Sequence, residues 1–121
     1  MGFQKANIFD CPSQEMTAHG GSGLLEVSRI FTAKDVSGAC NFVDFTIIPP
    51  GASIGAHSHA MDEEEYYLIL EGAGRMAVDG EIFEVSKGDL IRNRPGGSHW
   101  LENNSEGPIQ LFVFELGLHR E

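Results

Sequence analysis

The stretch GASIGAHSHAMDEEEYYLILEG (residues 51–72) joins a histidine pair to a strongly apolar segment. The segment 65–72 is rich in aromatic and branched residues and ends at a glycine, which is typical of a β-strand. His57 and His59 are two residues apart, so both imidazoles share one face if the chain there is extended. Two such imidazoles can bind one metal ion at about 2.0–2.2 Å. A pair of exposed loop histidines would have the same spacing, so both interpretations stay open at this point.

An acidic run, DEEE (62–65), connects the histidine pair to this strand. Most of the run is expected to be a solvated turn. Glu65, however, opens the strand and shares a face with Tyr67 and Ile69 by alternation. A carboxylate that faces a buried interior is costly unless it is paired or binds a cation. Glu65 is therefore a candidate metal ligand.

A second stretch, GDLIRNRPGGSHWLEN (88–103), supplies a third histidine. His99 follows a Pro-Gly-Gly turn and begins another short strand. Together with His57, His59 and Glu65 it could close around one ion. Three neutral imidazoles and one carboxylate favour Mn, Fe, Co, Ni, Cu or Zn over Mg and Ca. Such a set leaves one or two coordination positions for water, dioxygen or a bidentate substrate.

The rest of the chain reads as short strands separated by turns, with no helical periodicity in its C-terminal two thirds. This pattern predicts an all-β sandwich or closed barrel. Residues 1–22 are mixed in character and predict an irregular N-terminal arm that covers an edge strand or reaches a second subunit; residues 23–121 would form the barrel domain. The predicted strands are 24–32, 41–48, 65–72, 74–78, 81–85, 90–93, 99–103 and 108–116.

The two quoted stretches resemble the two sequence motifs of the cupin superfamily, in order and separated by a short hairpin. The residues that match are Gly51, His57, His59, Glu65 and Gly72 in the first motif, and Gly88, Gly96, His99 and Asn103 in the second. The resemblance covers about residues 42–115. It implies a double-stranded β-helix, or jelly-roll barrel, with one metal near its mouth and interior side chains that select a substrate.

The sequence departs from the cupin motifs at two positions. The spacer between His59 and Glu65 is one residue longer than usual. Glu64 would restore that spacing but would break the six-residue step to Gly72, so Glu65 is favoured as the ligand. Arg94 replaces the first proline of the second motif, and Pro95 is expected to preserve the bend.

Other interior-facing side chains are expected to shape the substrate site, although plain core packing is the alternative for each. Tyr67 could transfer a proton to or from a bound substrate. Arg92 or Arg94 could pair with a substrate carboxylate, or lie at a solvated edge. His19 and His119 are expected to be exposed, and Trp100 to face away from the metal. The candidates for the interior are Phe45, Ile47, Tyr67, Leu101, Phe112 and Phe114, with the parity of the last strand left open.

Bulk properties narrow the function further. The 121 residues carry a formal net charge of -10, which disfavours nucleic acid and anionic membranes as partners. No apolar run approaches the roughly 20 residues of a membrane span, and the N-terminus lacks an apolar signal stretch. Cys11 and Cys40 are expected to be free thiols, so we expect a cytoplasmic protein.

The predicted function is a homodimeric metalloenzyme for a small oxygen-bearing organic molecule (a dioxygenase, decarboxylase, lyase or isomerase). The alternative is a non-catalytic ligand-binding module.

Overall fold

The computed structural model describes residues 2–117, which form two antiparallel sheets. The larger sheet has the strand order β1-β2-β3-β10-β5-β8, and the smaller has the order β4-β9-β6-β7. The two sheets face each other as a jelly roll, which confirms the predicted all-β fold. The strands are β1 Gln14–Met16, β2 Leu25–Thr32, β3 Cys40–Ile48, β4 Ser53–Ser58, β5 Glu63–Glu71, β6 Ala73–Val78, β7 Glu81–Ser86, β8 Leu90–Asn93, β9 Ser98–Glu102 and β10 Ile109–Gly117.

The N-terminal arm is tied to both sheets. Within it, β1 pairs with β2 and so covers the edge of the larger sheet. Beyond β1, Ala18 forms a bridge to Ile54 on β4. Residues 14–18 therefore contact both sheets of this chain, and β1 is the one strand that the structure describes before β2. Within residues 2–117 no helix is long and apolar enough to cross a membrane.

The core lies between the inner faces of the two sheets. Both sheets contribute aliphatic side chains that are fully buried, and burying one such side chain contributes about 1.5–3 kcal/mol. These residues are Leu25, Ile48, Ile69, Met76, Leu101, Ile109 and Leu111.

The pleat of the larger sheet corrects part of the predicted interior. Asp44 and Thr46 of β3 line the internal cavity, so Phe45 and Ile47 face outward, where the ring of Phe9 packs edge-on against Phe45 at 5.4 Å. On β10 it is Leu111 and Val113 that face inward, and Phe112 and Phe114 that face outward. The expectation that these four outward residues shape the substrate site is wrong, because apolar side chains cover both faces of this sheet. Tyr67 and Leu101 do face inward.

Candidate metal centre

Four side chains from both sheets converge between the sheets. His57 on β4 and His99 on β9 are direct cross-strand partners in the smaller sheet. His59 follows β4, where its backbone N–H donates to the carbonyl of Gly97 at 3.1 Å. Glu65 reaches the same point from β5 in the larger sheet. One ligand atom from each residue lies within 4.8 Å of the others, so the structure brings together the four predicted ligands.

A hydrogen bond to the outer ring nitrogen fixes the tautomer of His57. A carbonyl oxygen only accepts, so the Nδ1–H of His57 donates to the carbonyl of Gly55 at 2.8 Å. The Nδ1 of His59 lies 3.0 Å from Oε1 of Glu115. On the inner side, Oε1 of Glu65 lies 3.2 Å from Nε2 of His59 and 3.1 Å from Nε2 of His99. The Nε2 atoms of His59 and His99 thus meet one carboxylate.

Burial and charge set the protonation of this cluster. Burial lowers the pKa of His57 to about 4, so this imidazole is neutral near pH 7. Burial alone would raise the pKa of Glu65, but hydrogen bonds from His59 and His99 outweigh it and bring that pKa down to about 2. The hydrogen bond to Glu65 raises the pKa of His59. The cluster therefore combines an ionised carboxylate with a neutral imidazole.

These residues fit a divalent transition metal. Imidazole nitrogens with one carboxylate are the donors that such metals prefer. An ion held by these residues would replace the proton between His59 and Glu65, as is usual for metal binding to histidine. Two more carboxylates, Glu63 and Glu115, lie beside His59 and add negative charge that a cation would offset. Burial, followed by the carboxylates of Glu63 and Glu65, raises the pKa of Glu115.

A cavity of about 590 Å³ leads to this cluster. His57, Glu65 and Tyr67 line it on the metal side, and the arm contributes Gln14 and His19 among others. The volume lies within the range of pockets that hold small organic ligands. The cavity therefore offers room for a substrate next to the candidate metal.

Tyr67 is placed as the alternation predicts. Its side chain is buried, lines the cavity, and lies edge-on to the ring of His99 at 5.3 Å. Burial, assisted by the charge of Glu65, raises the pKa of Tyr67 well above its usual value. The hydroxyl therefore stays protonated near pH 7.

Sequence reasoning missed the position of His19. The residue is exposed as expected, yet its ring stacks on His57 with centroids 3.6 Å apart and planes within 10°. Its φ of 51° is unusual for a residue with a side chain. A Cβ atom added to Gly55 would lie 2.1 Å from the backbone oxygen of His19, so only glycine lets the arm come this close. The Gly20-Gly21 pair was a signal of a turn here, but not of its contact with β4.

Arg29 was also missed. It lines the cavity and donates two hydrogen bonds of 2.9 Å to the buried carboxylate of Asp44. Its guanidinium carbon lies 4.4 Å from the centre of the Phe42 ring. This ion pair places a permanent cation in the cavity wall, a role that the sequence had suggested for other arginines.

The remaining candidates lie elsewhere. Arg92 donates to Glu64 at 2.8 Å, and Glu64 also accepts from the hydroxyl of Tyr66. Glu64 therefore lies outside the cluster of four candidate ligands. This agrees with the six-residue spacing to Gly72, which favoured Glu65 as the ligand. Arg94 is exposed and does not line the cavity. Trp100 alternates with the buried His99 and Leu101, consistent with a side chain that faces away. His119 lies outside the described residues.

Comparison with known proteins agrees with this fold and site. The family model of the Cupin domain matches residues 44–115, so the chain belongs to the cupin family and is of the conserved-barrel type. An uncharacterised protein of Methanocaldococcus jannaschii is 45% identical over 65 residues, a match that covers 54% of this chain and 51%, about half, of that relative's own length.

Two matches from Thermotoga maritima, one to a curated protein and one to a crystal structure, cover most of the chain. One named as an oxalate-binding protein is 26% identical over 102 residues, 84% of each chain. A crystal structure described as a predicted oxalate decarboxylase superposes with a TM-score of 0.91 at 23% identity, covering 95% of this chain and 100% of the other. The structural likeness supports the shared fold.

Proposed function

We propose that this cupin binds one divalent transition metal, Mn, Fe, Co, Ni, Cu or Zn, on His57, His59, Glu65 and His99, and acts on a small oxygen-bearing organic molecule. The observation that carries the proposal is the convergence of these four ligand atoms beside a cavity of substrate size. The bound metal would supply Lewis-acid activation of a carboxylate, enediol or hydroxyketone, or redox chemistry with dioxygen.

The chain's own residues would bind and orient the substrate. Tyr67 would donate its hydroxyl proton to a substrate oxygen and is our candidate for proton transfer. Arg29 would attract a carboxylate with the N–H groups that Asp44 leaves free. A small carboxylate is accordingly the first substrate class to test, and oxalate is a natural member of it, since one relative is named for binding oxalate.

Metal binding is tested first. The purified protein is stripped with a chelator, reloaded with each of the six metals, and analysed for metal content and affinity. We expect one ion per chain in the wild type and a large loss in Glu65→Gln. Glu64→Gln is the matched control, since Glu64 pairs with Arg92 instead. Equal affinity in the two variants would contradict the assignment of Glu65.

Turnover separates the enzyme from a second candidate function. Loaded protein is offered oxalate and a panel of hydroxy acids, diketones and catechols, with and without dioxygen. Product formation that falls sharply in Tyr67→Phe supports an enzyme of decarboxylase, dioxygenase, lyase or isomerase type. Saturable binding without product instead supports the non-catalytic binding module, which the name of the Thermotoga relative favours.

We also propose that the protein is a homodimer. The outer face of the larger sheet carries aromatic side chains, and Tyr66 stacks on Phe114 there at 4.8 Å. The edge strand β8 exposes Leu90 to 61%, and an open edge of this kind is usually covered. A light-scattering mass equal to one chain would refute the dimer.

Cys11 and Cys40 are free thiols, which supports our proposal of a cytoplasmic location.

A further inference from the structure

The cavity beside the candidate metal is much larger than oxalate. Its volume is about 590 Å³, and pockets of this size enclose drug-sized organic ligands. Oxalate consists of two joined carboxylates and has no apolar part, so it would fill only part of this volume. The rest of the cavity would then hold water against apolar side chains, which is unfavourable. The lining of that remaining space indicates what else the substrate carries.

Apolar side chains line much of this space. Alternate residues of β2 face the cavity, and Leu25 and Val27 are the apolar members of that row. Val113 on β10 and Ile54 on β4 line the cavity from the two sheets, and Met16 lines it from the arm. A surface of this kind favours an apolar ligand, because each methylene that is removed from water raises affinity about fourfold.

A charged pair lines the same cavity at a distance from the metal. Arg29 is the next residue of β2 that faces the cavity, and it forms an ion pair with Asp44. A guanidinium has five N–H groups, and Asp44 accepts two of them, so three remain (5 minus 2). The side chain of Arg29 is 52% exposed. A carboxylate that pairs with it would keep part of its hydration, so binding there costs little desolvation.

The register of the larger sheet gives the separation between this pair and the candidate metal. A row of directly opposed residues crosses the sheet, and its members are Arg29, Asp44, Val113 and Tyr67. Tyr67 is the member of the row beside the metal cluster. Neighbouring strands lie about 4.8 Å apart, and Asp44 is two strands from Tyr67, so the two polar ends are about 10 Å apart. Val113 lies between them.

We propose that the substrate is a carboxylic acid with an apolar body, whose metal-binding oxygens and second carboxylate lie about 10 Å apart. This inference rests on the proposed function and deepens it by naming the substrate class. The first end would bind the metal, the body would lie over Val27 and Val113, and the carboxylate at the other end would pair with Arg29. Asp44 would hold the guanidinium in place for that contact.

Three 2-hydroxy acids with the same metal-binding end test the proposal by titration calorimetry on the metal-loaded protein. Glycolate has no apolar body, 2-hydroxyoctanoate adds one, and 2-hydroxyoctanedioate adds the second carboxylate. We expect 2-hydroxyoctanoate to bind more than about tenfold more tightly than glycolate, because several methylenes leave water. The diacid should gain about another tenfold, the value of a hydrogen bond to a charged group. Equal affinity for glycolate and the longer acids would overturn the proposal.

Variants test whether Arg29 binds the second carboxylate. In Arg29→Gln the diacid should lose its advantage over 2-hydroxyoctanoate. Because that change leaves the buried Asp44 without its partner, Arg29→Lys is a second variant; it keeps a cation but loses the planar fork, so its preference should be intermediate. Arg75→Gln is the matched control, since Arg75 forms a similar ion pair with Glu102 outside the cavity lining. An unchanged preference for the diacid in both Arg29 variants, or an equal loss in Arg75→Gln, would overturn the proposal.

The metal content of the wild type, measured beforehand, separates this inference from the proposed function. If metal binds but the longer acids gain nothing over glycolate, the metal site stands and the inference fails. If no metal binds, the proposed function fails. Binding of the diacid that depends on Arg29 would still support the inference in that case, and its absence would overturn it.

Discussion

Two buried asparagines, Asn103 and Asn93, lie near opposite ends of strand β9. They differ in how many hydrogen bonds their amide groups make. After the strand, Asn103 donates to the carbonyls of Ile48 and Gly107 at 2.8 Å each and accepts from the backbone and the hydroxyl of Ser105. At the start of the strand, His99 belongs to the cluster of four candidate ligands. Near it, Asn93 stands opposite Glu65 in the larger sheet, and within residues 2–117 neither atom of its amide has a hydrogen-bond partner.

This contrast separates an end whose polar groups stabilise the fold from the end that carries the proposed metal site. The Asn103 end follows the general rule that buried polar groups are hydrogen-bonded. The metal end departs from that rule at Asn93, holds the buried carboxylates of Glu65 and Glu115, and carries His19 at positive φ. Such departures cost stability and are concentrated at functional sites in other proteins. Substitutions at the two ends should therefore change stability and metal binding in different ways.

The largest loss of stability is expected at the Asn103 end of β9, where the buried polar groups are hydrogen-bonded. Asn103→Leu removes four hydrogen bonds, so the carbonyl of Ile48 loses its side-chain donor and the backbone N–H of Ser105 loses its acceptor, whereas the carbonyl of Gly107 keeps the hydroxyl of Ser105 as a donor. Each buried group left unpaired costs about 1–3 kcal/mol, so the free energy of unfolding should fall by about 3 kcal/mol or more. Urea denaturation measures it, with Asn104→Leu as the control, because Asn104 is an exposed neighbour. A loss below about 1 kcal/mol would show that this network is not a source of stability.

An intermediate change in stability is expected when metal is added, because the candidate ligands lie at the other end of β9. A ligand that binds only the folded state at 100 times its Kd stabilises it by about 2.7 kcal/mol. The unfolding midpoint of the wild type should therefore rise on addition of metal and return on chelation. Glu65→Gln should show little of this rise, because it lacks the ligating carboxylate. An equal rise in both proteins would mean that the metal binds elsewhere on the chain.

Much of this organisation could be predicted from the sequence, because strands and motifs are local features. Apolar alternation gave the extents of β2, β5 and β10 to within about two residues, as expected for boundaries. The spacing of His57 and His59 predicted a shared face if the chain there is extended, and Glu65 and His99 were predicted on strands that the structure has as β5 and β9. Their convergence followed from the resemblance to cupins, which supplied the long-range arrangement that residue spacing alone does not contain.

The parts that could not be predicted depend on long-range contacts. The inward face of β3 was assigned to Phe45 and Ile47, because an aromatic outer face looks the same as a core in one sequence. The stack of His19 on His57 requires the close approach of two backbone segments at Gly55. The contact of Glu115 with His59 requires the register of β10 on β5. Local patterns carry no information on any of these pairings.

The smallest effect, and the sharpest test of the contrast, is expected at Asn93. This side chain is 1% exposed, and its orphaned amide faces the same interior as Glu65. Replacing an unpaired buried amide with an apolar group of similar shape removes a desolvation cost, so Asn93→Leu should leave the metal-free protein as stable as the wild type or more stable by about 1 kcal/mol. Urea denaturation in the presence of a chelator measures this, and Asn103→Leu serves as the opposite case. A loss in Asn93→Leu as large as that in Asn103→Leu would mean that both asparagines stabilise the fold, and the contrast between the two ends would not hold.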